Sequence, residues 1–555
     1  MKRQIYLSLI FSMLIVFGFS QSQRMVLLEH FTQASCGPCA TYNPQINSLL
    51  ASNPDKITAI MYHTSWPGYD PMYNHNTVEN AARTSYYSVS SVPNSVLDGN
   101  IYNGHPNGWN ISTVNNRYAV PSPCDISIYH ALSADENEFL VWVMIEATED
   151  MPAGLKMHLA AIEKEITFSS PPGSNGETEF FNVMKKMLPN QTGLVLPAIP
   201  AGEYIILEYS WEHSNVYDVD QLAAVGFVQN NDTKEVMQAA MSSDEPFDPP
   251  YNVDADIMTV SNISQTYCNG YIEPVITIRN NGEAPLTSLD ISYTINGGDP
   301  VTYNWTGNLG FLEKDIIEMT GSEFTVMDVN TLEVTGASPN GQNDDYMTNN
   351  VRTIEIEQAP SVTSPVSLVL KLDNHPEETS WEVKDSQGNV LYEGGDYTTA
   401  GQILVEQFQV EDEDCYTFYI YDEGGDGLTE GGSYKLGYSG NIIFAEGTGF
   451  GVKDEAQFSI NYTGISENDF ASDLHVYPVP VEKEVNLSFN LLRNSEVKYS
   501  VINPTGEKLF ETEHGMQSPG EKIFTINLEE FSPGVYYVIL ETGTKQTIRK
   551  IVLVK

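Results

Sequence analysis

The sequence predicts a multidomain protein that combines an N-terminal α/β domain with a series of all-β sandwiches. Three observations lead to this fold class. The chain has 555 residues, enough for roughly three to five domains. A buried apolar strand followed by a helical pattern occurs near the N-terminus, at residues 25–50. Beyond Pro121 the helical signal fades, and alternating apolar residues separated by Gly, Asn and Pro turns predict strands.

The chain begins with the pattern of a signal peptide, which we assign to residues 1–20. Lys2 and Arg3 form a basic start, and residues 5–19 are apolar. Gln21 is then the expected mature N-terminus. No later stretch approaches the roughly 18 apolar residues of a membrane-spanning helix. We therefore expect an exported chain without a transmembrane segment.

Composition narrows the classes of partner. The chain carries 27 basic and 74 acidic residues, a net charge of −47. This balance argues against binding to nucleic acids or to anionic membranes. It is compatible with divalent cations, or simply with solubility in salty surroundings. Five cysteines are too few for a disulfide scaffold in a chain of this length.

The sequence Cys-Gly-Pro-Cys at residues 36–39 is the most informative motif. It lies between the strand at residues 25–31 and a helical pattern at residues 40–50, which Pro44 is expected to kink or restart. Cys36 falls at a helix N-terminus, where free backbone N–H groups stabilise a thiolate. Cys39, one turn further, is close enough to attack a mixed disulfide. We expect these two cysteines to form a disulfide that can open and close.

The segment after the motif resembles the thioredoxin fold. A strand with a proline at its start ends in an Asp-Gly turn at residues 91–99. The resemblance covers residues 24–120, and we assign residues 21–122 to this domain. It implies that a cis-proline, here Pro93, faces the disulfide. It also implies that the residue before it, Val92, hydrogen-bonds the substrate backbone.

Three positions bear on how far that resemblance extends. Ser35 stands where thioredoxins usually carry a tryptophan. The buried acid that assists proton transfer in thioredoxins has no clean match, and Glu29 and His30 are the nearest candidates. His63, at the end of the strand at residues 57–62, either shuttles a proton or stabilises the cysteine thiolate, or simply packs in a loop with Trp66.

Residues 123–245 predict a β-sandwich, with apolar strands at 139–145 and 204–209. The order of a Cys-x-x-Cys domain and this sandwich resembles the outer membrane protein 28-related family of Bacteroidota. The stretches that carry the resemblance are residues 26–32, 62–67, 182–189 and 228–231. That family is named for its location, so the resemblance implies little about activity.

Two further β units follow an acidic, proline-containing linker. Residues 252–358 alternate in polarity and contain an Asn-Gly turn, and they resemble an immunoglobulin-like module. Residues 360–462 predict another sandwich, rich in glycine and aromatic strands. We expect the sandwiches of this chain to be of the immunoglobulin-like or jelly-roll type.

The loop at residues 422–427 of the last of these sandwiches suggests a calcium site. Asp422 and Asp426 occupy two of the ligand positions of a calcium loop, but the third ligand and the final glutamate of an EF-hand are missing. Asp373 and Glu377 are the residues expected to complete an oxygen cage. The alternative is a pair of Asp- and Gly-rich hairpin turns.

Three cysteines remain outside the Cys-Gly-Pro-Cys motif. Cys124, Cys268 and Cys415 lie in three different segments, so at least one is unpaired unless it bridges to another molecule. Cys415 lies in an aromatic strand and is expected to be buried.

Residues 473–555 closely resemble the C-terminal sorting domain of the type IX secretion system. The resemblance rests on the opening Tyr-Pro-Val-Pro at residues 477–480, on Pro-Gly-Val-Tyr-Tyr-Val at residues 533–538, and on the lysine-containing apolar end. It implies a small β-sandwich that interacts with the type IX secretion machinery. The expected location is outside the cell or on the exterior of the outer membrane.

The sequence is compatible with two functions. The first is thiol–disulfide exchange on extracellular or surface proteins, in which Cys36 attacks, Cys39 resolves and Pro93 holds the substrate strand; this reaction requires no cofactor. The second is adhesion or binding at the surface without enzymatic activity, with the thioredoxin-like domain as a scaffold. The series of β-sandwiches favours the second by analogy of fold.

Overall fold

The computed structural model describes residues 21–410, 414–429, 431–439, 442–460, 471–503, 507–542 and 545–554. The predicted signal peptide lies outside these described residues. The chain divides into two compact units, Met1–Asp248 and Pro249–Lys555, and most of the regular structure is β.

The first unit contains the helical part of the protein. Its α-helices α1–α4 are Gly37–Ala51, Pro71–His75, Thr77–Tyr86 and Ile111–Tyr118, and short 3-10 helices cover Pro106–Gly108 and Val219–Gln221. Its strands β1–β12 are Val26–Thr32, Ile57–His63, Asn94–Leu97, Tyr102–Gly104, Cys124–Leu132, Glu138–Ala147, Lys156–Thr167, Glu179–Leu188, Leu194–Val195, Tyr204–Glu212, Leu222–Gln229 and Val236–Met241.

One large sheet runs through the whole first unit. Its strand order is β12-β11-β7-β8-β2-β1-β3-β4, and β9 pairs with β7. β1 and β2 are parallel from Val26↔Ile57 to Thr32↔His63, and β8 joins the outer edge of β2 at Met61↔Val183. The segments 21–122 and 123–245 therefore share one sheet, and the structure departs here from the division expected from the sequence. The physical reason is that β2 would otherwise present an unpaired edge.

A second sheet, β10-β6-β5, covers part of the first. Apolar residues of both sheets form one core, so residues 123–245 do make a two-layered sandwich. One of its layers consists of strands β12, β11, β7 and β8 of the shared sheet.

The inner strands and α1 follow from local chemistry. Every residue of β1 and β2 is buried, as expected for central parallel strands covered on both faces. Pro38 stands in the first turn of α1, where a missing N–H is tolerated. Pro44 lies inside α1 and does not end it, because the helix continues to Ala51.

The second unit contains three groups of strands. The first group, β13–β22, comprises Ala255–Ser261, Thr266–Tyr267, Tyr271–Ile272, Val275–Asn280, Leu286–Ile295, Val301–Leu309, Lys314–Glu318, Ser322–Glu323, Val329–Ala337 and Val351–Gln358. The second, β23–β31, comprises Ser361–Val362, Val366–Lys371, Thr379–Lys384, Val390–Gly394, Ile403–Phe408, Cys415–Asp422, Ser433–Tyr438, Ile442–Gly447 and Lys453–Ile460. The third, β32–β38, comprises Ala471–Tyr477, Glu484–Leu491, Ser495–Ile502, Lys508–Gln517, Gly520–Asn527, Gly534–Thr542 and Lys545–Leu553. Short 3-10 helices cover Pro339–Gly341, Met347–Asn349 and Pro376–Glu378.

Each group of strands has its own apolar core. In the first group the sheets are β13-β16-β19, β14-β22-β21-β17-β18 and the small pair β15-β20. In the second group they are β23-β31-β28-β25-β26 and β27-β24-β29-β30. In the third group they are β32-β33-β36 and β35-β34-β37-β38. The second unit is thus a series of β-sandwiches, as the sequence predicts.

The structure also decides the cysteine pairing that the sequence left open. Cys268 of the first sandwich of this unit and Cys415 of the second form a disulfide. The Cys268 backbone N–H donates to the Gln457 side-chain oxygen at 3.2 Å, so a polar contact accompanies the covalent link. Among the described residues, Cys124 is the free cysteine, and burial raises the pKa of its thiol to about 12.

Candidate functional site

The Cys36–Cys39 disulfide lies at the start of α1, directly after β1. Cys36 is the N-cap residue of the helix, and the backbone N–H of Cys39 donates to Cys36 Sγ at 3.1 Å. This N–H belongs to the first turn of the helix, whose unpaired N–H groups favour negative charge. The site is therefore built to stabilise a thiolate on Cys36 when the disulfide opens.

The predicted substrate residues lie beside the same sulfur. Cys36 Sγ is 3.6 Å from the carbonyl oxygen of Val92. The Val92–Pro93 peptide is cis, Pro93 is buried and Val92 is half-buried. Cys36 itself is only 2% exposed. The structure thus brings together the two cysteines, Val92 and Pro93.

His63, at the end of β2, is anchored by Asp70, which lies in the segment after the same strand. His63 Nδ1 lies 2.7 Å from Asp70 Oδ2, and both side chains are buried. Asp70 Oδ2 also accepts a hydrogen bond from the Ala34 N–H at 2.7 Å. Ala34 lies two residues before Cys36. Burial raises the pKa of Asp70, but His63 and the N–H groups of Ala34 and Tyr73 outweigh burial and hold that pKa below its ordinary value. His63 is therefore fixed to the turn that carries Cys36.

His63 also lines a small cavity. His63 Nε2 is buried and has no hydrogen-bond partner among the described residues. The cavity has a volume of about 20 Å³ and is lined by polar and apolar side chains of β1, α1, β2 and β8, namely Thr32, Asn43, Asn47, Met61, His63, Glu179, Phe180 and Phe181. This volume suffices for one water molecule.

A half-buried acid, Glu177, reaches the site from the loop between β7 and β8. Glu177 accepts hydrogen bonds from the amides of Asn43, one turn after Cys39 in α1, and of Asn175. The Asn175 amide also donates to the carbonyl oxygen of Cys36 at 3.3 Å. Burial raises the pKa of Glu177, and the two amide hydrogen bonds oppose that shift. No local sequence pattern signals Glu177, because it lies far from the motif along the chain.

Glu29 and His30, the two acid–base candidates in β1, form their hydrogen bonds and ion pairs with other residues. Glu29 forms a buried ion pair with Arg83 at 2.7 Å and accepts the hydroxyl of Tyr87. His30 contacts Ser95 and Asn43, and burial lowers the pKa of its imidazole to about 4. Glu177, by contrast, is connected to the Cys36 carbonyl oxygen through the amide of Asn175.

In the second unit, the predicted calcium residues come together only in part. Carboxylate oxygens of Asp422, Asp426 and Glu378 lie within 4.8 Å of one another. Asp373 and Glu377 do not belong to this group; Glu377 instead groups with His375 and Glu378, and these three could also hold a metal ion.

The local hydrogen bonds also support the hairpin alternative. Asp422 Oδ2 accepts the backbone N–H groups of Gly425, Asp426 and Gly427, so Asp422 caps its own loop. Asp373 is buried, and its Oδ1 accepts the His375 N–H. The geometry is compatible with either a cation site or a self-capped turn.

Comparison with known proteins gives one match at the level of a family. Residues 475–555 match the family described as the secretion system C-terminal sorting domain. No curated protein matches the chain. The resemblance of the N-terminal unit to the outer membrane protein 28-related family stays a prediction.

Solved structures share parts of the architecture at low similarity. HBP35 of Porphyromonas gingivalis is 11% identical with a TM-score of 0.35, and the alignment covers 60% of this chain and 98% of that one. The CARDB domain of PF1109 from Pyrococcus furiosus is 19% identical over 21% of this chain and 95% of that domain, with a TM-score of 0.17. Latent PorU from Porphyromonas gingivalis is 11% identical over 78% of this chain and 34% of that one, with a TM-score of 0.15. Similarities this low carry no argument about function.

The sorting domain establishes the location of the protein. It directs the chain through the type IX secretion system to the cell surface or the extracellular space. No helix in the described parts of the chain is long and apolar enough to cross a membrane.

Proposed function

We propose that this protein carries out thiol–disulfide exchange on extracellular or cell-surface polypeptides. The observation that carries the proposal is the Cys36–Cys39 disulfide at the start of α1, with the Cys39 N–H aimed at Cys36 Sγ. The order β1-α1-β2, followed by α2 and α3 and then β3-β4-α4, supports the resemblance to the thioredoxin fold. We include in the proposal membership of the outer membrane protein 28-related family.

The proposed reaction is a balanced exchange of two electrons. A substrate thiolate attacks Cys36 Sγ, the Cys36–Cys39 bond breaks, and Cys39 leaves as a thiolate. A second substrate thiolate then attacks the substrate sulfur of the mixed disulfide and releases Cys36 as a thiolate. The substrate dithiol becomes a disulfide, and the protein becomes a dithiol. In the reverse direction Cys36 attacks a substrate disulfide and Cys39 resolves the mixed disulfide.

We assign the transfer of protons during the exchange reaction to Glu177 and His63. Glu177 has a raised pKa and bonds to Asn43 in α1, so it can take up or release a proton near Cys39. His63 retains its proposed role as a proton shuttle, because its Nε2 has no hydrogen-bond partner among the described residues while Asp70 holds its Nδ1. The alternative is that His63 only supports the turn at Ala34.

The proposal is tested with single cysteine variants of the mature chain. Cys36→Ser should abolish exchange with a model disulfide, because the attacking sulfur is lost. Cys39→Ser should trap mixed disulfides, because the resolving sulfur is lost. Cys124→Ser is the matched control and should exchange like the wild type. A wild-type chain that neither reduces nor oxidises any model disulfide would refute the proposal.

A second candidate is a binding protein of the cell surface. The observation that favours it is the Cys268–Cys415 disulfide, which fastens two neighbouring sandwiches together as a spacer or binding surface would require. A double variant, Cys36→Ser with Cys39→Ser, separates the two candidates. Unchanged attachment of cells to surfaces, together with no phenotype in secreted disulfide proteins, would favour the binding protein.

A further inference from the structure

A larger cavity of the first unit lies at the end of α1 that is opposite to the disulfide. It has a volume of about 470 Å³, and its lining comes from the end of α1, the start of β2, the first half of β8 and the end of β12. An α-helix rises about 1.5 Å per residue, so the lining residues 47–51 stand roughly 15–25 Å along the helix from Cys36. The cavity is therefore separate from the redox site.

The cavity opens where the large sheet is interrupted. Among the described residues, β2 and β8 pair at Met61↔Val183. Two residues earlier in each strand stand Ala59 and Phe181, and both line the cavity. Asn182, directly before Val183, has a φ of +50°, which takes its backbone out of the extended conformation of a strand. The two strands thus separate on the N-terminal side of their pair and leave room for a ligand.

The wall of the cavity is apolar and uncharged. Its large apolar side chains are those of Met25, Leu50, Ile57, Phe181 and Met241. None of the described residues that line it is charged, although charged residues make up 18% of the chain. A mostly apolar lining and a volume of about 300–1,000 Å³ are typical of sites for small organic ligands.

The volume of the cavity sets the size of its ligand. An engineered protein cavity of about 150 Å³ binds benzene, and the present cavity of about 470 Å³ is about three times as large. It therefore accommodates on the order of 18 non-hydrogen atoms. A glycerol ester of a twelve-carbon acyl chain has about this size. The flexible side chains of Met25 and Met241 suit an acyl chain, because unbranched thioethers adapt to irregular apolar surfaces.

A few polar side chains mark the place of a polar head group. Asn47, Ser48 and Asn182 line the cavity, and Ser48 is exposed. Thr58 also lines it and is 5% exposed, and its hydroxyl has no hydrogen-bond partner among the described residues. A buried unpaired hydroxyl costs free energy that a valine of nearly the same shape would not. Rotation about χ1 can exchange the hydroxyl and methyl groups of Thr58, so a ligand hydroxyl or ester oxygen can become the missing partner.

We propose that this cavity binds a neutral single-chain lipid of the monoacylglycerol type. The acyl chain lies between β2, β8 and Met241, and the head group meets Asn47, Ser48 and Thr58. A fatty-acid anion or an alkylammonium ion is disfavoured, because the lining offers no opposite charge to a buried ion. The inference goes beyond the proposed exchange reaction and does not depend on it. Secretion to the cell surface or the extracellular space brings the protein next to membrane lipids.

The test uses the mature chain, residues 21–555, with its disulfides formed. The probe is monolauroylglycerol, kept below the concentration at which it aggregates. Laurate and dodecylammonium carry an apolar chain of similar length with a negative and a positive head group, in a buffer in which both stay charged. Isothermal titration calorimetry measures each affinity. We expect one saturable site for monolauroylglycerol and about tenfold weaker binding of both ions.

Variants locate the ligand in the cavity. Ala51→Trp should weaken binding of monolauroylglycerol about tenfold, because Ala51 is an exposed residue of the lining and the larger side chain fills the opening. Gln45→Trp, at an exposed position of α1 outside the lining, is the matched control and should leave the affinity unchanged. Thr58→Val should weaken binding about fivefold without lowering the midpoint of urea unfolding. Ser48→Lys places a positive charge at the opening and should strengthen binding of laurate.

The outcomes also separate this inference from the proposed exchange reaction. An absence of saturable binding of monolauroylglycerol would overturn the inference. Binding that is unaffected by Ala51→Trp would overturn it as well, because the ligand would then lie elsewhere; Ser48→Trp, at another exposed residue of the lining, takes the place of Ala51→Trp if that variant fails to fold. Tighter binding of either ion would overturn the neutral head group. The double variant Cys36→Ser with Cys39→Ser should bind the lipid like the wild type, so failure of the exchange reaction leaves the lipid site standing.

Discussion

Replacing Asp70 by asparagine should loosen the turn that carries Cys36. The Asp70 carboxylate accepts four hydrogen bonds: from His63 Nδ1 and from the backbone N–H groups of Ala34, Met72 and Tyr73. Asparagine keeps one oxygen, which can still cap α2 through Met72 and Tyr73. Its amide NH₂ then faces the Ala34 N–H, so two donors oppose each other. His63 can adapt by accepting from the new amide through Nδ1, but Ala34 cannot.

The size of the destabilisation follows from the hydrogen bond between the Ala34 N–H and Asp70, which asparagine cannot replace. A buried hydrogen bond to a charged group contributes about 1.5–3 kcal/mol, and its loss leaves the Ala34 N–H buried and unpaired. We therefore expect about 2–3 kcal/mol of local destabilisation at residues 33–36. Since every 1.4 kcal/mol is a factor of about ten, hydrogen exchange of this turn should accelerate on the order of 100-fold. Reduction of the Cys36–Cys39 disulfide by dithiothreitol should accelerate as well.

Hydrogen exchange followed by mass spectrometry measures the effect on peptides that contain Ala34. Asp218→Asn is the matched control, because Asp218 caps an exposed 3-10 helix through the Asp220 N–H. In the wild type the pKa of Asp70 lies below its ordinary value of 3.8. Its contribution to stability is thus complete above pH 3.8 and is lost as the pH falls through the lower pKa of the folded state. Unchanged exchange and reduction rates in Asp70→Asn would refute this account of the turn.

Four further predictions concern other parts of the chain. Deletion of residues 473–555 should leave a folded protein in the periplasm, whereas the intact chain appears outside; equal amounts of both outside would contradict the sorting assignment. Alkylation without reduction should label Cys124 after denaturation and no cysteine before it, because Cys124 is the buried free thiol; mass spectrometry detects any second site. Calcium bound near Asp422 should stabilise the fold by about 2.7 kcal/mol at 100 times its Kd; a melting curve that is unaffected by chelator would leave only the self-capped turn. The pKa of His30 is lowered to about 4, so His30 should account for up to about 3 kcal/mol of the stability that the first unit loses as the pH falls from 6.5 to 4; in urea titrations His30→Gln should remove this share and leave the shares of His75 and His158, whose pKa values are also lowered.

Several features could be predicted from short stretches of sequence. The strand β1, the helix α1 after Cys36, the Asp98-Gly99 turn and the C-terminal sorting domain are all encoded by residues that are close together in the chain. Apolar periodicity, prolines in a first turn and Asp-Gly pairs act through neighbouring backbone, so their signals survive without knowledge of the fold. The resemblance to the thioredoxin fold implied a cis-proline at Pro93 that faces the disulfide; the structure has a cis Val92–Pro93 peptide, with the Val92 carbonyl oxygen 3.6 Å from Cys36 Sγ.

The remaining features depend on contacts between distant segments. The sheet continues from β2 to β8 through the pair Met61↔Val183, and that pairing brings the loop with Glu177 onto the site. No local pattern encodes which strand will fill a free edge, because many strands share the same alternation. The Cys268–Cys415 pairing is decided for the same reason by the packing of two sandwiches. The sequence by itself determined the redox motif and the secretion route, while the tertiary structure decided which acid and which loops surround that motif, since these come together only when the sheets assemble.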